Sequence, residues 1–143
     1  MVKLERSALV GYSVNQMFDL VNDVEQYPRF MQGCKSATVF SRTDTELVGE
    51  LCLAKAGISH RFTTRNTLTR PTQIELQLVE GNFAAFHACW TFTALTDTAC
   101  KVVLNMEFEF KTGLVEFAAE KLFSSSANSL VDALVARAGV VYK

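Results

Sequence analysis

The sequence has no long apolar run, little net charge and few histidines, and each shortage removes a class of function. No stretch approaches the roughly 20 apolar residues that cross a bilayer as a helix. The first residues, MVKLERSALVGYS, lack the apolar core of a signal peptide. A cytoplasmic chain without an integral membrane segment is therefore expected, with peripheral membrane contact left open. The formal charge is −1 over 143 residues, so the strong positive field that non-specific nucleic-acid binding needs is missing and no DNA partner is expected. A local basic patch is still allowed. The four cysteines, Cys34, Cys52, Cys89 and Cys100, include no CxxC pair, which points away from a zinc site or a thioredoxin-like motif. In a cytoplasmic setting they stay reduced and read as small core or sheet residues. There is no Gly-x-Ser-x-Gly elbow, Walker loop, dinucleotide fingerprint or His-x-x-x-His pair. With only His60 and His87 available, no nucleophile, base and orienter assemble. An enzyme is disfavoured, and neither a metal nor a required cofactor is expected.

What is abundant is apolar side chain. Hydrophobic residues make up 49% of the sequence and eleven of them are phenylalanine, enough to fill a core and still line an apolar cavity. The length suits one domain, residues 1–143, with one sizeable core.

The only two prolines, Pro28 and Pro71, each mark a break. Before Pro28, Ser13 and Gln16 are spaced for a capping box, and Val14, Met17, Phe18 and Val21 share one helical face, which Leu20 widens. Asp23 can cap a second short helix, which Pro28 interrupts, and Gly33 suits the turn out. Tyr27, Pro28 and Phe30 then form either a packed corner or the rim of a ligand mouth.

Alternating runs predict strands over residues 3–10, 34–43, 46–54, 58–69, 73–80, 84–95 and 99–111. Turns fall at Asp44, Lys55-Ala56-Gly57, Arg70-Pro71, Gly81-Asn82 and Thr96-Asp97. Residues 113–141 change to a helical period, with Leu114, Phe117, Ala118, Leu122, Leu130, Val131, Leu134, Val135 and Ala138 on the apolar stripe. The serine-rich middle of that segment, residues 124–129, holds weaker helix formers and reads as a bend or a solvated face. The expected fold is α+β: a bent antiparallel sheet of about seven strands, two short helices after the first strand, and a long C-terminal helix across the sheet. A cavity can remain between sheet and helix.

This order of elements, with Val21-Asn22-Asp23-Val24, Tyr27-Pro28-x-Phe30, Cys34, Lys55-Ala56-Gly57-Ile58, Phe62-Thr63-Thr64-Arg65-Asn66, Glu80-Gly81-x-Phe83, Trp90-x-Phe92 and Phe108-Glu109-Phe110, resembles the START-like helix-grip superfamily. It is most similar to the polyketide cyclase/dehydrase-type branch that contains the coenzyme-Q-binding protein and the ribosome association toxin RatA. The chain departs at two turns, with Gln32 where the family often has proline and Glu80-Gly81-Asn82-Phe83 where Asp-Gly-Pro-Phe is common. The resemblance implies an internal hydrophobic tunnel. In the coenzyme-Q branch the implied ligand is ubiquinone or another isoprenoid lipid, in support of respiration. In the RatA branch the implied partner is the large ribosomal subunit, with subunit joining blocked. Some relatives are cyclases.

By strand alternation His60 shares a face with Ile58, Phe62, Thr64 and Asn66. His60, Thr64 and Asn66 are then either polar groups that orient a ligand or a satisfied buried network. His87 falls on the opposite, solvent-facing side, and Glu107 and Glu109 point outward beside Lys101 and Lys111. With these three polar residues, the expected cavity lining is Phe18, Tyr27, Phe30, Phe62, Leu76, Trp90, Phe92, Met106, Phe108, Phe117 and Leu122. Arg61 and Arg65 lie on the outer face of the same strand, with Lys55 and Arg70 at its ends and Arg42 on a neighbour. They form either a basic strip for phosphates or ordinary solubilising charge, with Arg65 able to pair with Glu46 or Glu50. The leading expectation is a non-enzymatic binder of a hydrophobic, quinone-like ligand. The alternative is a translation regulator on the large ribosomal subunit. Third comes a cyclase or hydrolase that uses His60.

Overall fold

The computed structural model describes residues 1–111 and 114–143, and the side chains of these apart from residues 114–116. The expected helix start at Gly113 lies outside the described residues. Strand β1 (Val2–Val10) leads into helix α1 (Val14–Asn22) and a short 3-10 helix (Val24–Arg29). Six strands follow: β2 (Cys34–Arg42), β3 (Glu46–Lys55), β4 (Ile58–Thr69), β5 (Gln73–Gly81), β6 (Phe83–Thr96) and β7 (Ala99–Phe110). Helix α2 (Leu114–Val141) closes the chain. The strands form one antiparallel sheet in the order β1-β7-β6-β5-β4-β3-β2. From β2 to β7 consecutive strands are neighbours because their connections are tight turns, while α1 and the 3-10 helix carry the chain from one sheet edge to the other.

The start of α1 is built as its sequence predicts. The Ser13 hydroxyl accepts from the Gln16 N–H at 3.1 Å, and the Gln16 side-chain oxygen accepts from the Ser13 N–H at 2.9 Å. Met17, Phe18, Leu20 and Val21 are buried, so the apolar face of α1 closes one end of the curved sheet. Arg70 is held against this helix, with its guanidinium 2.8 Å from Asp19 and 4.7 Å from the centre of the Phe18 ring.

Helix α2 runs unbroken through the serine-rich segment, where the sequence allowed a bend. Polar side chains there bond back to the helix itself: the Asn128 amide donates to the Ser124 carbonyl at 2.9 Å, and the Ser129 hydroxyl to the Ser125 carbonyl at 3.1 Å. Ser126 and Ala127 are buried, and their small size lets the helix approach the sheet. At 28 residues the helix is about 42 Å long at 1.5 Å per residue. Its middle is tied to β1 by Arg6, 2.7 Å from Asn128, and its end to α1 by the Tyr142 hydroxyl, 2.8 Å from the Gln16 carbonyl.

Two irregularities shape the concave side. The β4–β5 ladder shifts register between Thr63 and Thr64, and the β6–β7 ladder between Phe83 and Ala85. Gly81, at φ +150°, lies against Phe62: a Cβ there would come within 2.8 Å of the Phe62 Cβ. Only glycine allows this close approach at that backbone angle.

Candidate functional site

The inner face of β4 gives the axis of the interior. From its start it presents Ile58, His60, Phe62, Thr64, Asn66 and Leu68 toward the core. Three regions lie along this line: a groove at the surface, a cluster of aromatic rings, and a cavity.

The cavity sits between the sheet and the helices, lined by nineteen residues. Seven of the expected residues line it: Tyr27, Phe62, Thr64, Asn66, Leu76, Trp90 and Met106. Its polar groups are few. The Thr64 hydroxyl donates to the Asn66 side-chain oxygen at 2.7 Å, and both residues are buried. The Tyr27 hydroxyl donates to the Val21 carbonyl at 2.6 Å, and burial raises its pKa so that it stays a neutral donor. Asn22, absent from the expected set, is buried and its side-chain oxygen has no partner among the described residues. Such an orphan costs about 1–3 kcal/mol unless a water or ligand donor meets it. The free volume is about 60 Å³, room for a few waters or a small ring.

The remaining seven expected lining residues lie elsewhere. Phe18, Phe92 and Phe108 are almost wholly buried and are packed ring to ring: Phe18 meets Phe92 at 5.6 Å, and Phe108 meets Phe123 at 4.8 Å. Phe30 is half-buried at the corner after the 3-10 helix, 5.4 Å from the Tyr27 ring with the Arg137 guanidinium over it at 5.7 Å. Phe117 is 58% exposed and faces away from the interior. Leu122 is buried but lines the surface groove.

His60 is the largest departure. It is 6% exposed and neither ring nitrogen has a hydrogen-bond partner. Aromatic rings surround it: Phe110 at 4.9 Å, Phe83 at 5.0 Å and Phe62 at 5.4 Å. It does not line the cavity and joins no satisfied network, and burial pushes its pKa below the ordinary imidazole value. Phe62, one of the rings that enclose it, and Phe123 also line the cavity. Cys34 is likewise held as a thiol, pushed up to about 11 by burial and by neighbouring Cys52, which leaves it a poor nucleophile.

Sequence reasoning missed Asn22, Gly49, Phe86, Phe123 and Ala127 in the cavity wall. Gly49 was detectable in principle, because a glycine inside a strand marks a close approach; a Cβ there would lie 3.2 Å from the Thr38 carbonyl oxygen.

The expected basic strip is not one surface. Arg61 and Arg65 project from the outer face of β4, but Arg61 is 2.9 Å from Glu50 and Arg65 is 3.6 Å from Glu46. Arg42 and Arg70 instead line a pocket with Asp19 and Asp23, and Arg42 pairs with Glu25 at 3.0 Å. Lys55 belongs to the groove beside α2. His87 is exposed, 3.9 Å from Glu75. Among the described residues, no group of three or more histidine, cysteine or acidic side chains could hold a metal ion, and no helix is long and apolar enough to cross a membrane.

The sequence profile of the polyketide cyclase / dehydrase and lipid transport family matches residues 10–135. The chain belongs to this family. Its similarity to curated members is substantial: it is 43% identical over 142 residues to the ribosome association toxin RatA of Vibrio cholerae, covering 99% of each chain. The mitochondrial coenzyme Q-binding protein of Drosophila melanogaster is a more distant relative, 26% identical over 134 residues, which span 91% of this chain and 55% of that one. A crystal structure of a Thermus thermophilus protein has the same fold, with a TM-score of 0.84 at 16% identity over 99% of this chain and 100% of that one. The helix-grip family architecture thus accounts for the curved sheet, the two short helices after β1 and the long closing helix.

Proposed function

We propose that this chain is a ribosome association toxin of the RatA type, acting in the cytoplasm by binding the large ribosomal subunit and opposing subunit joining. The observation that carries this reading is the 43% identity with the Vibrio cholerae toxin across 99% of both chains. The interior supports it indirectly. The expected isoprenoid carrier needs a tunnel, whereas the cavity's free volume is about 60 Å³, against the roughly 300–1,000 Å³ of typical ligand pockets. The protein's action is then binding without chemistry.

The test is sedimentation of the purified protein with ribosomal subunits through sucrose gradients, together with growth after induced expression. Co-migration with the large subunit, fewer joined ribosomes and arrested growth are expected. Protein that stays at the top of the gradient at every salt concentration would overturn the reading.

A second reading, binding of a small neutral ligand in the cavity, is favoured by one observation: the partnerless Asn22 oxygen in the same cavity wall as the Thr64–Asn66 pair. A ring-sized ligand with a hydrogen-bond donor suits those groups. Native mass spectrometry of the protein purified from cells would show the added mass, and a spectrum of apoprotein alone would remove this reading.

A further inference from the structure

The surface groove at the start of β4 differs in its charge from the regions around Arg42, Arg61, Arg65 and Arg70. It lies between the β3–β4 turn and α2, with a free volume of about 240 Å³. One side is formed by Lys55, Ala56 and Ile58, the other by α2 residues at helical spacing, Ala118, Lys121, Leu122 and Ser125. These α2 positions fall on one helix face, so the groove has an aliphatic floor with a lysine on each side. Among the described residues, the two lysines are the only charged ones in its lining. Among the described residues neither forms an ion pair, whereas Arg42, Arg61, Arg65 and Arg70 each have a carboxylate within 4 Å. The Lys121 ammonium stands 4.9 Å over the exposed Phe117 ring, which carries apolar surface outward from the floor. At the inner wall lies Ser126, 1% exposed, whose hydroxyl has no partner.

We infer that this groove binds an amphipathic anion: an alkyl or aryl body on the Ile58–Leu122 floor, with a carboxylate or phosphate between Lys55 and Lys121. Two unneutralised ammonium groups supply charge-assisted hydrogen bonds to an anionic oxygen, and the aliphatic floor supplies apolar burial. A bare anion would leave the floor in water, and a neutral lipid would leave both ammonium groups unused. Two cations over an aliphatic floor favour a small amphipathic ligand over RNA, which would leave that floor without an apolar partner. The site is distinct from the cavity, with which it shares no lining residue, and the inference stands independently of ribosome binding.

Calorimetric titration of the full chain with decyl phosphate, below its micelle concentration, tests this. One-to-one binding is expected. It should weaken about tenfold or more in a Lys55→Gln/Lys121→Gln variant, the scale of one lost charge-assisted hydrogen bond. An Arg61→Gln/Arg65→Gln variant should bind as the parent does. Decanol and inorganic phosphate, tested separately, should each bind far more weakly. The inference is overturned by equal affinity in the lysine variant or by inorganic phosphate binding as tightly as decyl phosphate. It is also overturned if a uridine oligonucleotide binds in a lysine-dependent way while decyl phosphate does not, which would make the groove an RNA contact. Unchanged circular dichroism and thermal midpoint in the lysine variant show that any loss reflects the site.

Discussion

At the scale of single residues, His60 controls a measurable property. Its imidazole is caged by phenylalanine rings and has no hydrogen-bond partner, and burial lowers its folded-state pKa. The unfolded chain returns it to about 6.5. Between those two values the unfolded state holds more protons than the folded state, so stability falls as pH drops. The contribution is fully present above about pH 6.5 and declines below it. His60→Phe removes both the titration and the unsatisfied nitrogens while keeping a ring in the cage. Replacing an unpaired buried polar group by an apolar one of similar shape is near neutral or stabilising. The variant is therefore expected to match or exceed the parent's thermal midpoint at pH 7.5 and to lose less of it at pH 5.5. Parallel midpoint–pH curves for the two proteins would show that His60 does not carry the acid sensitivity.

At the scale of elements, the capping box at Ser13 and Gln16 is a local device with a readable energy. Ser13→Ala deletes the acceptor that meets the Gln16 N–H at 3.1 Å, and such losses cost about 0.5–2 kcal/mol. Urea unfolding should show the midpoint lowered with an unchanged slope; a changed slope would mean that α1 is no longer part of one cooperative unit. The box, the strands and the closing helix were legible because each depends on neighbours close in sequence. What lay beyond reach depends on register and phase. Alternation placed Phe86, Ala88, Trp90 and Phe92 inward, yet the shift between Phe83 and Ala85 turns Phe83 inward too, and this builds the ring cluster that encloses His60. On α2, Phe117 fits a helical period on paper. The buried stripe instead follows Ala119, Leu122, Phe123, Ser126 and Ala127, and at about 100° per residue Phe117 falls outside it. A serine at a buried position hides the phase, because composition marks it as solvent-facing. The size of the cavity was similarly illegible: the pattern says which residues face inward, not whether their rings fill the space between them.

At the scale of the whole molecule, charge is balanced locally as well as in total. The net charge is −1, and the outer-face arginines Arg61 and Arg65 are neutralised by Glu50 and Glu46. Pairs this exposed are worth little to stability, but they shorten the protein's electrostatic reach. Association with a ribosome through this face would therefore release few counterions. Each phosphate neutralised contributes roughly −0.7 to −0.9 to the slope of log affinity against log salt. A shallow slope, about two to three in magnitude, is expected for the parent, equivalent to a few phosphate contacts. Glu46→Gln with Glu50→Gln frees both arginines without changing side-chain size. If β4's outer face meets ribosomal RNA, this double variant binds more tightly at low salt and its slope steepens by up to about two phosphate contacts' worth, roughly 1.4–1.8. Gradient sedimentation across a salt series reads both quantities. A slope and affinity identical to the parent's would place the contact on another face, because unmasking two cations at an RNA interface cannot leave counterion release unchanged.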